Sequence, residues 1–134
     1  MQDSRNIAIT KPIQIQVEGH IVQVAAGHGF TLCLNKDGNV FSSGLDNRGQ
    51  LGREYSMDFK SISMPEKVMV VNAGYAHCAA VTTTRKLYMW GANSEGQLGI
   101  GDKVDRRVPT LIDSFGWRSS IVNVSCGQYH TGIV

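Results

Sequence analysis

Short runs in which apolar and polar residues alternate recur in the first half of the chain. Residues 13–17 read IQIQV, residues 21–26 read IVQVAA and residues 30–34 read FTLCL. A period of two places every second side chain on one face of an extended backbone, so each run predicts a half-buried β-strand. A further strand is predicted from Val40 to Gly44. Since this stretch shows no helical period, the pattern predicts an up-and-down meander of strands.

The meander occurs more than once. Residues 38–52 read GNVFSSGLDNRGQLG, residues 85–99 read RKLYMWGANSEGQLG, and a shift of 47 positions aligns them. The stretch IVNVSCGQYH at 121–130 starts the pattern a third time. Self-similarity at a period of about 20–50 residues indicates a repeat architecture, in which each unit needs a neighbour to bury its second face. Small sheets stacked about a common axis form a β-propeller, which is the all-β fold that we predict.

This register divides the chain into four parts. Residues 1–20 are a polar lead-in with one strand, 21–67 are the first repeat, 68–120 are the second, and 121–134 are the incomplete start of a third. Trp117 falls in a loop of the second repeat, where we expect it to pack beneath the loop. The first repeat has an Asp-Gly hairpin turn at residues 37–38. The corresponding turn of the second repeat, at residues 82–85, contains no Asp-Gly.

Residues that recur in register form a structural repeat signature. Its glycines are expected where the backbone turns tightly or passes close to another strand, and its leucines in the gap between sheets. The glutamine amides are expected to satisfy backbone groups of their loop. The histidines share a position with Phe30, which favours packing or a hydrogen bond over metal binding. The signature consists of Gly27, Gly44, Gly49, Gln50, Leu51, Gly52, Gly74, His77, Trp90, Gly91, Gly96, Gln97, Leu98, Gly99, Gly127 and His130.

Charge and composition argue against some classes of protein but do not identify the function. Thirteen Lys and Arg against eleven Asp and Glu leave a formal charge of +2, and no basic face of the kind that nucleic-acid binding needs is visible. No apolar run reaches the roughly 20 residues of a membrane span. Three cysteines without a Cys-x-x-Cys pair argue against a disulfide framework and favour a reducing compartment, the cytoplasm or nucleus.

No catalytic motif is present. The sequence lacks a Gly-x-Ser-x-Gly elbow, a phosphate-binding Walker loop and a His-Glu-x-x-His metal motif. The carboxylates Asp102 and Asp105 lie in a connecting loop beside cations that neutralise them. We therefore predict a protein that is not an enzyme and that needs no cofactor.

The repeated segments resemble a known family. The pattern IVQVAAGxxxTLxLxxDGxVFxxGxxxxGQLG, and above all WGANSEGQLGIGD at residues 90–102, is similar to the RCC1-like repeat, named after the regulator of chromosome condensation. The resemblance covers roughly residues 21–134. It implies a seven-bladed propeller of four-stranded antiparallel blades, of which this chain holds two to three.

The resemblance implies three kinds of function. The first is a non-enzymatic module for protein–protein interaction or regulation. The second is part of a guanine-nucleotide exchange factor for a Ran-type small GTPase bound to chromatin, and chromatin or nucleic acid enters only through this analogy. The third is a structural component of a large assembly. Too few repeats to close a ring would leave open blade edges, which favours self-association or docking on a larger chain.

Overall fold

The computed structural model of the protein describes residues 11–114 and 120–134, so the first half of the lead-in and Trp117 lie outside the described residues. The described part is all-β, as predicted, and forms three antiparallel sheets. The first contains β1 (Ile21–Ala26), β2 (Phe30–Asn35), β3 (Val40–Gly44) and β4 (Lys60–Ser61). The second contains β5 (Val68–Ala73), β6 (His77–Thr82), β7 (Leu87–Gly91) and β8 (Arg106–Ile112), and the third contains β9 (Val124–Cys126) and β10 (Thr131–Ile133).

Each sheet is a meander in which neighbours in sequence are neighbours in space. The order is β1-β2-β3-β4 in the first sheet and β5-β6-β7-β8 in the second. The two sheets repeat even in detail, since β1–β2 and β5–β6 share the same register shift near the start of the first strand. The chain therefore forms two four-stranded blades and two strands of a third, which is a partial β-propeller.

The tight turn between the second and third strands has a left-handed residue in both blades, but the residue type differs. In the first blade Gly38 takes a positive φ of 84°. Arg85 occupies the equivalent position in the second blade and has a φ of 67°. A side chain is strained in this left-handed region, so the second turn keeps its geometry at a conformational cost.

The fourth strands, β4 and β8, had no alternating signal in the sequence. The two residues of β4 are too few to show one, and both are exposed. Strand β8 contains Pro109, which a strand tolerates at a sheet edge or where pairing is irregular. Its register with β7 shifts between Met89 and Gly91, close to this proline.

Two hydrophobic clusters hold the blades together. One lies between the first and second sheets and includes Leu34, Leu51 and Val71. The other lies between the second and third sheets and includes Leu87, Leu98 and Val124. In the described part of the chain, each sheet packs on the next, with its first strand beside the first strand of its neighbour.

The first strands of the three sheets, β1, β5 and β9, lie side by side, and we call them the inner strands. Side-chain hydrogen bonds also join them. Gln23 bridges to the backbone of Val71, its Nε2 donating to the carbonyl oxygen and its Oε1 accepting from the amide, both at 3.0 Å. One blade further, the amide of Cys126 donates to Asn72 Oδ1 at 2.8 Å. These contacts fix the blades side by side where a buried backbone group would otherwise lack a partner.

Three glycines, Gly27, Gly74 and Gly127, stack on one another near the ends of the inner strands, and we call them the glycine column. A Cβ atom on Gly27 would meet the carbonyl oxygen of Gly74, and one on Gly74 would meet that of Gly127. Even one methyl group would therefore push two backbones apart. The ring three residues further along each repeat fills the space beside each glycine: Phe30, His77 and His130.

Trp90 joins the first two blades. Its indole is fully buried and its Nε1 donates to the carbonyl oxygen of Gln50 at 3.0 Å. The thiol of Cys78 donates to the same oxygen at 3.2 Å. The indole also lies where a Cβ on Gly52 would be, so the loop of one blade closes over the ring of the next.

The predicted strand at residues 13–17 is wrong. This segment has no hydrogen-bonded partner strand, and Ile13 is 66% exposed. Alternation alone does not make a strand, because the backbone groups of this segment pair with no strand of the described sheets and are left to water. In the connection at 53–64, Tyr55 and Met57 are exposed, whereas the later part is extended as β4 and is followed by the buried Ile62.

Candidate protein-interaction surface

The two ends of the sheets differ in chemistry. The loops after β1, β3, β5, β7 and β9 emerge at one end, which we call the aromatic end. Exposed apolar side chains in these loops are Leu45, Tyr55, Met57, Tyr75, Val104 and Tyr129. The turns at the opposite end expose Lys36, Asp37, Thr83, Thr84, Arg85 and Lys86 instead. Charged side chains at that end are partly paired within the chain, as Glu66 is with Lys86.

His28, Tyr75 and Tyr129 form an aromatic row across three successive repeats. The rings of His28 and Tyr75 stack with centroids 4.4 Å apart and an interplanar angle of 11°. The rings of Tyr75 and Tyr129 are 6.2 Å apart and tilted by 51°. Tyr75 is 41% and Tyr129 52% exposed, so the row faces solvent. A backbone hydrogen bond of 2.9 Å from His28 N to the Tyr75 carbonyl oxygen holds the first two loops together.

A cavity of about 360 Å³ opens beside the aromatic row. Its walls are the loops after β3 and β7, which carry the repeated Gly-Gln-Leu-Gly, and the loops that carry Tyr75 and Tyr129. The volume lies at the small end of the range of ligand pockets, which is about 300–1,000 Å³. The cavity is therefore sized for a side chain or a short segment of a partner.

Both wall loops are braced by the same hydrogen bonds. In the first blade, Gln50 Oε1 accepts from Arg48 N at 2.8 Å, and Asp46 Oδ1 accepts from the amide of Leu51 at 3.0 Å. In the second blade Gln97 Oε1 accepts from the amide of Glu95 at 2.9 Å. Satisfied loop amides keep the walls preorganised, which lowers the entropic cost of binding.

An ion pair ties the wall of the first blade to the second. Arg48 donates from Nε and Nη2 to the two carboxylate oxygens of Asp105, at 2.6 and 2.8 Å. This hydrogen-bonded pairing lowers the pKa of Asp105 and raises that of Arg48. The same carboxylate accepts from the amide of Asn93 at 2.8 Å. Asp102, the other carboxylate of this loop, pairs with Arg106 at 2.8 Å, which lowers its pKa.

His77 lies behind the surface as a neutral ring. Its Nε2 is 3.0 Å from Thr131 Oγ1, and that hydroxyl donates to the carbonyl oxygen of Gln97 at 2.8 Å. The hydroxyl has one proton, so it must accept from His77 Nε2–H. The buried Nδ1 has no partner among the described residues. Burial lowers the pKa of His77 from 6.5 to about 4, since a second ring proton would be desolvated.

The metal-ligating side chains and the thiols also bear on what this surface can do. Within the described residues, no group of three His, Cys, Asp or Glu side chains could hold a metal ion. The thiols are unpaired, and burial raises the pKa of Cys78 and Cys126, the latter to about 12. No helix in the described part of the chain is long and apolar enough to cross a membrane.

The signature residues surround this surface without forming it. The leucines Leu51 and Leu98 lie fully buried in the two hydrophobic clusters, and the glutamines Gln50 and Gln97 close the wall loops. The histidines differ, since His77 is buried while His130 is exposed. Left-handed backbone occurs at the glycines that end β3 and β7 and at those of the two Gly-Gln-Leu-Gly loops: Gly44, Gly91, Gly49, Gly52, Gly96 and Gly99.

Sequence reasoning missed the aromatic row. Tyr75 directly follows its repeat glycine, whereas Tyr129 comes one position later, so a comparison in strict register does not pair them. The available signal was simpler. Each loop after an inner strand holds an aromatic or imidazole ring beside the repeat glycine, where no strand buries it.

Family models match most of the chain. The Regulator of chromosome condensation (RCC1) repeat matches residues 37–81 and 86–134. A second model of the same description matches residues 21–50 and 70–97. The matched segments overlap both blades and the two strands of the third.

Two relatives illustrate the range of proteins that contain this repeat. The chain is 38% identical to the probable E3 ubiquitin-protein ligase HERC4 of Homo sapiens over 95% of its own length and 12% of the relative's. It is 34% identical to the regulator of chromosome condensation of Homo sapiens over 90% of its own length and 30% of the relative's. The chain thus spans about a third or less of the curated relatives that it matches.

Solved structures agree with the fold. Yeast RCC1 (Prp20), from its crystal structure with bound Kap60, superposes with a TM-score of 0.83 at 26% identity, over 96% of this chain and 33% of the other. Human WBSCR16 gives a TM-score of 0.81 at 26% identity, over 99% and 35% of the two chains. From its repeated sequence, its four-stranded blades and these matches, the chain belongs to the RCC1 repeat family.

Proposed function

We propose that the protein is a non-enzymatic interaction module that binds a partner protein through its aromatic end. The observation that carries this proposal is the exposed aromatic row beside a preorganised cavity. Tyrosine supplies large contact area at low entropic cost, and aromatic residues are enriched where proteins bind one another. The described turns between β2 and β3 and between β6 and β7, at the opposite end, expose polar and charged side chains instead.

The comparisons support this proposal at a coarse level. The matches to ligases of the HERC type cover only a small part of those large proteins. Their ligase activity is therefore not transferred to this chain. What the relatives share with it is the repeat itself, a rigid scaffold whose loops are free to vary. The unpaired cysteines favour a reducing compartment as the place of action.

The test compares variants at the two ends. Tyr75→Ser with Tyr129→Ser removes the row, and Lys36→Ala with Thr83→Ala changes exposed residues at the opposite end. Partners captured from cell extract by the tagged chain are quantified by mass spectrometry. We expect specific partners to be lost by the tyrosine variant and retained by the control. Equal recovery by both variants would reject the aromatic end as the binding surface, provided circular dichroism shows both variants folded.

Nucleotide exchange on a Ran-type small GTPase is a second candidate. The identity of 34% to the regulator of chromosome condensation favours it. Release of fluorescent GDP from Ran, measured with substoichiometric amounts of the chain, tests it directly. A module without exchange activity leaves the spontaneous release rate unchanged, whereas sustained acceleration would replace our first proposal.

A third candidate is a structural component of a large assembly. It is favoured by the repeat architecture, in which each unit buries its second face against a neighbouring unit. Light scattering of the purified chain separates the alternatives. A concentration-independent monomer would argue against the structural role, and defined oligomers would argue for it.

A further inference from the structure

Gln97 carries a hydrogen-bond donor without a partner at the wall of the cavity beside the aromatic row. Its side chain is only 7% exposed, and its Oε1 is used by the amide of Glu95. Its Nε2 makes no hydrogen bond with any described residue, and it is not one of the fully buried atoms that lack a partner. The nitrogen is therefore open to the cavity that Gln97 lines and is free to donate to a ligand there.

The first blade shows why this donor is free. There the equivalent Gln50 Nε2 donates to Asn47 Oδ1 at 3.0 Å. Ser94 stands at the position of Asn47 in the second blade. The serine side chain is shorter and does not engage Gln97 Nε2. With serine in place of asparagine, the glutamine amide has no partner within its own loop, and its N–H groups are available to the cavity.

The charge of the same wall is negative. Glu95 is exposed, lines the cavity and forms no ion pair with any described residue. The cavity's basic side chain, Arg48, is already neutralised by Asp105. A ligand therefore meets one uncompensated carboxylate, the accessible rings of Tyr75 and Tyr129, and one amide donor.

We propose that this cavity receives an arginine side chain from a partner protein. The guanidinium lies against the tyrosine rings and donates to Glu95, while a main-chain carbonyl of the partner accepts from Gln97 Nε2. Arginine fits better than lysine because its planar cation both stacks on aromatic rings and forms paired hydrogen bonds with a carboxylate. This inference rests on the proposed function, since it names the chemistry by which the aromatic end selects its partner.

A peptide titration followed by NMR tests the recognition itself. The probes are Gly-Gly-Arg-Gly-Gly, capped at both ends, and the same peptide with lysine or glutamate at the centre. We expect saturable shifts of the Gln97 side-chain amide and of the Tyr75 and Tyr129 ring signals with the arginine peptide. The lysine peptide should bind at least about threefold more weakly, which corresponds to a loss of about 0.6 kcal/mol or more of stacking. The glutamate peptide should give no saturable shift.

Two variants of the chain separate binding from folding. Ser94→Asn rebuilds the pair seen between Asn47 and Gln50, so it occupies Gln97 Nε2 without removing any contact. Glu95→Gln removes the charge and keeps the shape. We expect about a tenfold loss of arginine-peptide affinity for Glu95→Gln and a smaller loss for Ser94→Asn. Lys36→Ala, at the opposite end of the sheets, is the control and should leave the affinity for the arginine peptide unchanged.

The outcomes distinguish this inference from the proposed function. Equal shifts with the arginine and glutamate peptides, or unchanged affinity of both cavity variants, would overturn the arginine site. If the tyrosine variant still loses the captured partners in that case, the proposed function stands and only the occupant is wrong. If partners are retained by the tyrosine variant while the peptide binds as expected, the site exists and the proposed function fails.

Discussion

At the scale of single residues, the burial and the hydrogen bonds of His77 keep its imidazole ring neutral. Its only side-chain hydrogen-bond partner in the described chain is Thr131, whose hydroxyl proton is committed to the carbonyl oxygen of Gln97. Protonation would place a charge on a buried ring whose Nδ1 has no hydrogen-bond partner among the described residues. The first blade carries Phe30 at this position, which shows that a ring is required there and a charge is not.

We predict that stability falls between neutral and mildly acidic pH because of His77. Its pKa in the folded chain, about 4, lies below its ordinary value of 6.5, so protonation favours the unfolded state. Its contribution is complete above about pH 6.5 and is lost as the pH falls toward 4, by at most about 3 kcal/mol. Urea unfolding followed by circular dichroism across this range measures the effect. His77→Phe should flatten the dependence, and an unchanged slope in that variant would contradict the assignment.

A second residue-scale prediction concerns the strained turn of the second blade. Arg85→Gly should raise the free energy of unfolding by about 0.5–1 kcal/mol, because glycine adopts the left-handed backbone that Arg85 adopts under strain. The thermal midpoint from circular dichroism reports the gain. Gly38→Ala is the matched opposite, since a Cβ there would crowd Lys67 besides straining the backbone. Equal effects of the two changes would show that the turn is not strained.

At the scale of elements, adjacent blades are joined by one side chain filling the loop of its neighbour. Trp90 on β7 reaches the carbonyl oxygen of Gln50 in the loop after β3. Leu51 from that loop fills the cluster between the two sheets. The loop therefore contributes to packing between the blades. From the sequence, its leucine is expected between the sheets and its glutamine on loop backbone groups, and both side chains lie there.

We predict that Trp90→Phe lowers the free energy of unfolding by about 2–3 kcal/mol. The change removes the hydrogen bond to Gln50 and leaves a void under a fully buried ring. Trp90→Ser, which copies the residue at position 43, should cost more, about 3–5 kcal/mol. Chemical unfolding monitored by circular dichroism provides the values. Met57→Ala, a change at an exposed apolar side chain, is the control, and comparable losses in all three variants would disprove the coupling.

The strands differ in how far they could be predicted. Three strands per repeat were readable because alternation and glycine-bounded turns act locally. β4 and β8 were not, because their pairing to β3 and β7 depends on a return of the chain that short-range pattern does not encode. The segment 13–17 failed for the opposite reason, since its pattern is local and its partner strand is missing from the described sheets.

At the scale of the whole molecule, the blades form a series in which each contacts only its neighbour. Stability in such a series is a sum over blades and the interfaces between them. We therefore predict graded amide hydrogen exchange, slowest in β6, whose six residues are all buried, and fastest in β9 and β10. Exchange measured by NMR gives the order, and uniform protection across all three sheets would mean that the chain opens as one unit.

The candidate surface could be predicted less well than the fold. The aromatic row depends on Tyr75 and Tyr129, which come together only because two blades stack. The free donor of Gln97 depends on Ser94, whose significance appears only when the hydrogen bonds of the two loops are compared. Periodicity describes what each repeat shares, whereas the surface arises from what the repeats do not share. The division at residues 21–67, 68–120 and 121–134 stays a prediction.

The glycine column has a geometric consequence for ring size. Blades are wedges, and the angle between two of them depends on how closely their inner edges approach relative to their outer edges. Gly27 and Gly74 each meet a carbonyl oxygen of the next blade, so the closest approach is fixed at the narrow side of the wedge. A methyl group there would separate the inner edges, reduce the angle per blade and require more blades for closure. The lack of a Cβ atom at these glycines therefore helps to set the angle between blades and the number of blades in a closed ring.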